Sequence, residues 1–287
     1  MSKNLKKSVV AITGAGSGIG RALALQCARE GAFLALADVN EQQLKETSEQ
    51  CQSLAAGVMY DRVDVAQRDE IYAWANKVSE KFGSANVIIN NAGVNLSGSV
   101  GAMTDQDFQW QMDINFWGVT HGTRAFLPLL KKADWGHVIN ISSLFGLISM
   151  PNQSAYNASK YAVRGFSESL RMELALENSS VSISCVHPGG IKTNIANSSR
   201  ILEQVGPKLT EEQQKNEFNN KLAKTTPEQA AAIILSGMKK NKSRILVGTD
   251  AKIIDLLQRL LPAKYQAIIV RVLGLRRAQL ERMQTAE

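Results

Sequence analysis

The sequence has little of what marks several large classes of protein. Its three cysteines, Cys27, Cys51 and Cys185, show neither CxxC nor metal-ligand spacing, which favours reduced, buried thiols in a cytosolic protein. No apolar run reaches the ~18 residues of a membrane-spanning helix, and the basic N-terminus lacks the apolar core of a signal peptide. No cluster of metal ligands is present. These absences predict a cytoplasmic protein without a bound metal.

The charge is basic and unevenly placed. The formal net charge is +7, and residues 251–287 hold seven Lys or Arg against three acids, a local surplus of four. The basic residues do not form a stripe with interleaved aromatics, and no nucleic-acid-binding motif is present. We therefore exclude nucleic acid as the expected partner.

Short apolar runs alternate with longer helical segments along most of the chain. The apolar runs predict strands at residues 8–13, 32–37, 58–63, 87–90, 137–142, 181–186 and 244–247. Helices are predicted at residues 21–29, 41–54, 67–82, 105–132, 153–178 and 227–240. Because the strands are continuously apolar, each is expected to be buried on both faces. The pattern predicts an α/β fold, a doubly wound parallel sheet of about seven strands with helices on both faces.

A glycine-rich turn joins the first predicted strand to the first predicted helix. It has the pattern T-G-x-x-x-G-x-G, with glycines at Gly14, Gly16, Gly18 and Gly20. Such a turn lets backbone N–H groups and a helix N-terminus approach a pyrophosphate. Taken alone it could be only a tight connection, but its position between strand and helix favours nucleotide binding.

Asp38 ends the second predicted strand, eighteen residues after Gly20. A carboxylate here accepts hydrogen bonds from ribose hydroxyls, and it repels a 2′-phosphate by about 4 kcal/mol per unit charge at ~4 Å. Neither Ser17 nor Val39 is a cation that would offset this repulsion. The sequence thus predicts NAD rather than NADP, with a solvated turn aspartate as the alternative.

Tyr156 and Lys160 lie four residues apart near the start of a predicted helix. This spacing places both side chains on one helix face, and Ser143 ends a strand thirteen residues before Tyr156. A cation beside a phenol favours the phenolate, and a tyrosine that works near neutrality needs a pKa about three units below its usual 10. Taken alone, the pair could also be two exposed residues on a helix.

In combination, these residues resemble the short-chain dehydrogenase/reductase family, whose fold is Rossmann-like. The matching positions follow the family's order over residues 8 to about 195. They are the glycine-rich turn, Asp38, Asp64, Asn90, Asn91, Ala92, Gly93, Asn115, Ser143, Tyr156, Lys160, Pro188 and Gly189. Asp64 and the run at 90–93 follow strands, where they could also be ordinary turn residues.

The resemblance implies a catalytic group of four residues. Tyr156 is implied to be the acid/base for the substrate oxygen, and Ser143 the hydroxyl that holds this oxygen. Lys160 is implied to lower the tyrosine pKa and bind the nicotinamide ribose, while Asn115 passes protons to Lys160 through water. Ser142 is the rival of Ser143. Strand alternation points the two apart, and the family's thirteen-residue spacing to the tyrosine selects Ser143.

The resemblance also implies which residues contact the cofactor. These are Gly14, Gly16, Ser17, Gly18, Ile19, Gly20, Asp38, Asp64, Val65, Asn91, Ala92, Gly93, Tyr156, Lys160, Pro188, Gly189, Ile191 and Thr193. His187, which precedes Pro188, is interpreted as structural because sequence shows no triad partner for it.

The implied activity is hydride transfer between a nicotinamide cofactor and a small-molecule alcohol or ketone, with an apolar secondary alcohol expected. The helices predicted at 105–132 and 153–178 correspond to the family's usual subunit interface, which implies a homodimer or homotetramer. Two alternatives remain open. One is a non-catalytic NAD-binding scaffold or redox sensor, and the other is an epimerase or dehydratase on the same fold.

Two segments depart from the regular alternation of strands and helices. Residues 190–225 are a polar insertion with a helical run at 210–222, interpreted as a substrate lid. Residues 251–287 form an amphipathic, basic helical extension broken at Pro262, beyond a dinucleotide-binding and catalytic domain at residues 1–250. The extension either packs against the body, the substrate mouth or a subunit partner, or it makes peripheral contact with a membrane.

Overall fold

A computed structural model of the chain describes residues 3–193, 199–205 and 224–284, with side chains described up to residue 275. The strands are β1 (Val9–Thr13), β2 (Phe33–Asp38), β3 (Gly57–Arg62), β4 (Val87–Asn90), β5 (Leu96–Ser97), β6 (Gly136–Ile141), β7 (Val181–Pro188), β8 (Arg200–Ile201) and β9 (Arg244–Val247). The helices are α1 (Gly18–Arg29), α2 (Glu41–Gln52), α3 (Arg68–Phe82), α4 (Asp105–Met112), α5 (Gly118–Lys132), α6 (Ser154–Leu176), α7 (Pro227–Lys239), α8 (Thr249–Leu260) and α9 (Tyr265–Gln284).

Seven of these strands form one parallel sheet in the order β3-β2-β1-β4-β6-β7-β9. The strand order reverses between β1 and β4, which pair directly. Open α/β sheets form their ligand crevice at such a switch point, outside the carboxyl ends of the strands. The predicted doubly wound parallel sheet with helices on both faces is therefore confirmed.

Helices cover both faces because the strands are apolar on both sides. Under α1, α2 and α7, one core buries Leu23 and Leu235. Under α3, α5 and α6, the other buries Trp74 and Phe126, whose ring centroids lie 4.8 Å apart. The two cores hold the sheet rigid, so its carboxyl edge can position polar groups.

Helix α7 starts as the sequence predicts. Thr226 is its N-cap, and a capping box joins Thr226 to Gln229, with Pro227 at the first helical position. The pair satisfies two backbone N–H groups that the helix itself leaves without partners. This start fixes the direction in which the chain returns to β9.

The insertion contains one feature that the sequence analysis missed. Strands β5 and β8 pair in parallel as a small second sheet, with Leu96 opposite Arg200 and Ser97 opposite Ile201. Strands of two residues carry no readable periodicity. The helical run predicted at 210–222 lies outside the described residues.

The C-terminal extension is two helices with a break at residues 261–264, as predicted. Asp255 on α8 is buried and bonds both Arg244 on β9 and Arg259 on its own helix, each at 2.9 Å. Among the described residues, no helix has the length and hydropathy needed to cross a bilayer. Nor do His, Cys, Asp or Glu side chains gather there in a group that could hold a metal.

Candidate active site

The glycine-rich turn requires glycine at several positions for steric reasons. Gly14 and Gly18 have φ of +64° and +52°, where side chains with a Cβ are strained. A Cβ on Gly20 would overlap the carbonyl oxygen of Gly14. The turn therefore presents backbone rather than side chains at the carboxyl edge of β1.

The N-terminus of α1 lies at this turn and is suited to an anion. Ser17 is the N-cap residue, but its side chain makes no capping hydrogen bond. The first N–H groups of a helix lack intrahelical partners and carry partial positive charge. Thr193 packs against the same turn, since its Cγ2 would lie 3.2 Å from a Cβ on Gly18. These residues fit the pyrophosphate of a dinucleotide.

Asp38 lies against the same turn. Its Oδ2 accepts a hydrogen bond from the Gly16 N–H at 2.8 Å, and its Oδ1 accepts from the Asn40 N–H at 2.9 Å. Two backbone donors therefore hold the carboxylate at the edge of β2, where a ribose hydroxyl could also reach it.

Arg21 supports the turn from the other side, and the sequence analysis did not identify it. Its Nε and Nη2 donate to the Gly16 carbonyl oxygen at 2.9 and 2.6 Å. Nη2 also pairs with Glu46 at 3.2 Å, and Nε donates to Thr47 at 2.9 Å. The guanidinium thus ties the turn to α2, a contact that sequence spacing could not show.

The turn after β4 is bonded directly to the turn after β1. Asn91 Nδ2 donates to the carbonyl oxygens of Thr13 and Gly14, both at 3.0 Å. The Thr13 hydroxyl accepts from the backbone N–H groups of Asn91 and Ala92 at 3.0 and 3.2 Å. These bonds hold the two sides of the switch point together.

Asp64 and Val65 follow β3 on the same edge of the sheet. The Asp64 carboxylate accepts from the Ala66 N–H at 2.9 Å, an ordinary turn contact. Val65 is buried and packs closely on Gly118 at the start of α5. Both residues follow the outermost strand of the sheet, and the cofactor contact that the resemblance implies for them stays a prediction.

Lys160 is buried, 3% exposed, and lies one helical turn after Tyr156 on α6. Its Nζ donates to the Ile141 carbonyl oxygen at 3.1 Å and lies 5.6 Å from the Tyr156 ring centroid. A Cβ on Gly93 would lie 3.4 Å from the same Nζ. This geometry excludes the alternative in which Tyr156 and Lys160 are two exposed residues on a helix.

The neighbouring serines point in opposite directions, as strand alternation predicted. The Ser142 hydroxyl is buried and donates to the Lys160 carbonyl oxygen at 2.8 Å. The Ser143 side chain instead interacts with Tyr156, and its Oγ accepts from the Phe145 N–H at 3.1 Å. Ser143 is therefore the serine that faces the tyrosine.

Burial shifts the pKa values of Tyr156 and Lys160 in the directions that favour the uncharged side chains. Burial raises the pKa of Tyr156, and hydrogen bonding with Ser143 opposes part of that rise. Burial lowers the pKa of Lys160 to about 8. The direction for Tyr156 is opposite to the predicted lowering, because removing the phenolate from water outweighs the other effects at this site.

Asn115 is buried in a π-helical turn, Asp113–Trp117, which interrupts the predicted helix at 105–132. Its Oδ1 accepts from the Val94 N–H at 2.8 Å, and its Nδ2 donates to the Val94 carbonyl at 3.0 Å and to Ser159 at 3.2 Å. A Cβ on Gly93 would lie 3.2 Å from Asn115 Oδ1. Asn115 and Lys160 therefore border the same glycine.

Comparison with known proteins agrees with this geometry. The model of the short chain dehydrogenase family matches residues 8–203, more than half of the chain. The chain belongs to the short-chain dehydrogenase/reductase family. SadH of Mycobacterium tuberculosis is 45% identical over 91% of this chain and 93% of its own. Human estradiol 17-beta-dehydrogenase 11 is 31% identical over 96% of this chain and 86% of its own.

Solved structures of the family share the fold. A short-chain dehydrogenase/reductase from Burkholderia phymatum in complex with NAD superposes with a TM-score of 0.82 at 29% identity, covering 90% of this chain and 95% of that one. A short-chain dehydrogenase from Mycobacterium paratuberculosis bound to NAD gives 0.72 at 26% identity, covering 85% and 97%. The chain is thus an oxidoreductase of this family, with NAD-bound structural neighbours.

In this short-chain dehydrogenase/reductase the turn after β7 contacts the first turn of α8, the helix that leads into the C-terminal extension. Pro188 and Ile191 are buried. The Gly190 N–H donates to Asp250 Oδ2 at 2.7 Å, and a Cβ on Gly189 would overlap the Asp250 carboxylate. Asp250, in the first turn of α8, is a second residue that the sequence did not indicate, because its partner Gly190 lies 60 residues away in the chain.

His187 holds the backbone that carries Ser143. Its Nδ1 lies 2.9 Å from the Ser143 carbonyl oxygen. Burial lowers the pKa of His187 to about 4, so the ring is neutral and Nδ1 donates its hydrogen to this carbonyl.

Tyr265, at the start of α9, contacts the loop that follows Ser143. Tyr265 is 4% exposed, and its hydroxyl accepts from the Ser149 N–H at 3.1 Å. Nearby, the Tyr161 hydroxyl donates to the Leu147 carbonyl at 2.7 Å. The extension therefore packs beside the predicted catalytic residues, as one of the alternatives for this segment expected.

Proposed function

We propose that this chain is an NAD-dependent alcohol dehydrogenase or carbonyl reductase of the short-chain type. The observation that carries the proposal is the meeting of three groups at the end of β6: Tyr156, Ser143 on its hydroxyl side, and the buried Lys160 one turn along α6. A scaffold without turnover has no need to bury a lysine beside a tyrosine, because burial disfavours its charged form.

Each of the four predicted catalytic residues has its own role in the transfer of one proton. In the oxidation direction Tyr156 would act as the phenolate and take the proton of the alcohol, while Ser143 holds the same oxygen and stabilises its developing charge. Burial disfavours this phenolate, and the positive charge of an oxidised nicotinamide, when bound, would favour it. Lys160, whose pKa is about 8, can exchange a proton close to neutral pH. Asn115, fixed by the π-helical turn, lies beside Lys160 and completes the path. A nicotinamide cofactor, when bound, supplies the carbon that takes up or releases the hydride.

The residues that would hold this cofactor line the switch point. The glycine-rich turn and the α1 N-terminus would take the pyrophosphate, Asp38 the adenosine ribose, and Lys160 the nicotinamide ribose. Asp64, Val65 and the run at 91–93 would flank the adenosine side, and Pro188, Gly189, Ile191 and Thr193 the nicotinamide side.

The preference for NAD over NADP rests on Asp38. Its carboxylate would repel a 2′-phosphate. The cross-strand partner of Asp38 is Arg62, a cation that could offset this repulsion. Arg62, however, has an acidic partner in Glu70, at 3.7 Å. This ion pair weakens the effect of Arg62 on Asp38, which supports the preference for NAD.

The proposed substrate is an apolar secondary alcohol or the corresponding ketone. Estradiol, named for the human relative, carries such an alcohol on an apolar ring system. The proposal also includes a homodimer or homotetramer through the α4–α5 and α6 helices. Large apolar side chains on these helices are exposed, namely Phe108, Trp117, Met172 and Leu176.

The test is reduction of NAD and NADP by the purified protein across secondary alcohols of graded size. Turnover with NAD, weaker turnover with NADP and loss of both in Tyr156→Phe would support the proposal. Tight NAD binding without turnover on any alcohol or ketone would favour the scaffold instead. Product analysis separates a redox reaction from an epimerase or dehydratase, because only the former changes the oxidation state of the product.

A further inference from the structure

The C-terminal helices expose apolar side chains, most of them along one face of each helix. On α8 these are Ile253, Leu256 and Leu260, and on α9 they are Ile268, Val272 and Leu275; Val270, also exposed, lies on another side of α9. Spacings of three, four and seven residues place each trio on one side of its helix. Leu256 is 57% exposed and Leu260 is 69% exposed. We call these six residues the apolar face of the extension.

Cations accompany the apolar face, and acids do not. Lys252 and Arg259 on α8, Lys264 in the break between the helices, and Arg271 on α9 are all exposed. Asp255 is the acid of the sequence between Lys252 and Leu275, and it is buried between Arg244 and Arg259. The exposed part of the extension is therefore both apolar and positively charged.

This combination decides which partner fits the surface. A second copy of the chain in a two-fold interface would bring the same cations face to face, and like charges in contact are unfavourable. An anionic bilayer offers apolar depth for the aliphatic side chains and negative headgroups for the cations. We propose that α8 and α9 form a docking surface for an anionic lipid membrane.

Two contacts set the direction of this surface relative to the active site. Asp250 at the start of α8 accepts from the Gly190 N–H, and Tyr265 at the start of α9 accepts from the Ser149 N–H. One contact thus joins the docking surface to the turn after β7, and the other joins it to the loop that follows Ser143. Docking brings these two loops close to the bilayer, in which an apolar alcohol dissolves.

The experiment is co-sedimentation of the full chain with vesicles of phosphatidylcholine, alone or mixed with phosphatidylglycerol. No substrate or cofactor is added, so the result does not depend on the proposed reaction. Binding is expected on the anionic vesicles and is expected to weaken with added salt. Leu256→Glu combined with Leu260→Glu should lower the partition coefficient at least about tenfold, and Arg271→Glu should lower it about fivefold.

Val100→Glu and Lys240→Glu are the matched controls, because both residues are exposed away from the extension. They should leave the partition coefficient unchanged. The proposal is overturned if the wild-type chain stays in the supernatant with anionic vesicles, or if the controls weaken binding as much as the extension variants do. Light scattering tests the alternative that a second copy of the chain occupies this surface. That alternative would be supported if wild type does not bind vesicles and forms an assembly that the Leu256→Glu, Leu260→Glu variant does not form.

Discussion

The active site and the C-terminal extension depart from the usual rule of burial in opposite directions. Beneath the site, Asn90 donates to Asn140 at 2.8 Å and to Thr123 at 3.0 Å, and Asn140 donates to Ser167 at 3.0 Å, all of them buried. On the extension, by contrast, seven aliphatic side chains among the described residues are exposed, six of them on the apolar face. Polar groups are normally outside and aliphatic groups inside.

The two departures differ in what satisfies them. The side-chain N–H donors of Asn90 and Asn140 have partners within the chain before any ligand arrives, and among the atoms of these two amides only Asn90 Oδ1 is a buried acceptor without a partner in the described residues. The exposed aliphatic side chains are not covered by the described part of the chain, so only contact with another surface would remove them from water. Buried polar side chains that bond to each other therefore indicate a rigid site. Exposed aliphatic side chains that nothing in the described part of the chain covers indicate a docking surface. Four predictions would break or sharpen this contrast.

The largest expected effect separates two adjacent serines of the active site. Ser143→Ala should lower kcat/KM by about 10²- to 10³-fold, because it removes a hydroxyl directed at the reacting oxygen. Ser142→Ala should leave kcat/KM within a few-fold, and should destabilise the protein by about 1 kcal/mol through loss of the bond to the Lys160 carbonyl. Steady-state kinetics and urea unfolding of both variants measure this. Equal loss of activity in the two would contradict the assignment.

The next effect concerns the burial of Lys160. Its pKa is about 8 in the folded chain against 10.5 for a free lysine. Below pH 8 both states are protonated and the burial penalty is complete; between pH 8 and 10.5 the unfolded chain holds more protons, so stability rises with pH. Lys160→Met should raise the free energy of unfolding at pH 7 by roughly 3 kcal/mol and abolish activity.

The control for this prediction is the pH dependence itself. The stability difference between Lys160→Met and wild type should shrink as the pH approaches 10, since the wild-type lysine is then mostly neutral in the folded state. Unfolding by urea at a series of pH values measures the difference. A constant difference across this range would show that burial of charge is not its cause.

A smaller effect should appear where the two regions meet. Tyr265→Phe removes the acceptor for the Ser149 N–H and should destabilise this contact by about 1 kcal/mol. We expect kcat/KM to fall severalfold and amide exchange at Ser149 to speed up, while the overall unfolding transition moves little. Unchanged exchange at Ser149 would mean that the extension does not restrain the loop.

The smallest effect is expected on the apolar face of the extension. Leu256→Gln should change the free energy of unfolding by less than about 0.5 kcal/mol, because the side chain is already in water. Leu235→Gln on α7 is the matched contrast, since Leu235 is 1% exposed. Thermal unfolding compares the two. Strong destabilisation by Leu256→Gln would show that the face is packed within the protein and would remove the contrast.

The sequence predicted the fold well where signals are local. The sheet strands and α6 follow from apolar runs and from helical spacing, and Tyr156 and Lys160 meet because four residues make about one helical turn. Strand alternation predicted that Ser142 and Ser143 point apart, and the family's thirteen-residue spacing to the tyrosine selected Ser143. Each of these inferences needs only neighbours in the chain.

The rest could not be predicted because it depends on contacts distant in sequence. Arg21 reaches Glu46, Asp250 reaches Gly190, and Tyr265 reaches Ser149. Nothing in the residues around them indicates these partners. The pKa direction of Tyr156 was also missed, since burial raises it and burial is a property of the packed site.

The ion pair between Arg244 and Asp255 has a consequence for solubility. β9 pairs with β7 and is the last strand on its side of the sheet, and such a strand has one row of backbone N–H and C=O groups available to strands of other chains. The Arg244 bond to Asp255 holds α8 close to this strand. A chain shortened at Gly248 would lose that neighbour along with the apolar face, and it would become more prone to aggregation through β9. Point substitutions are therefore better suited than truncation for separating lipid docking from the integrity of the sheet.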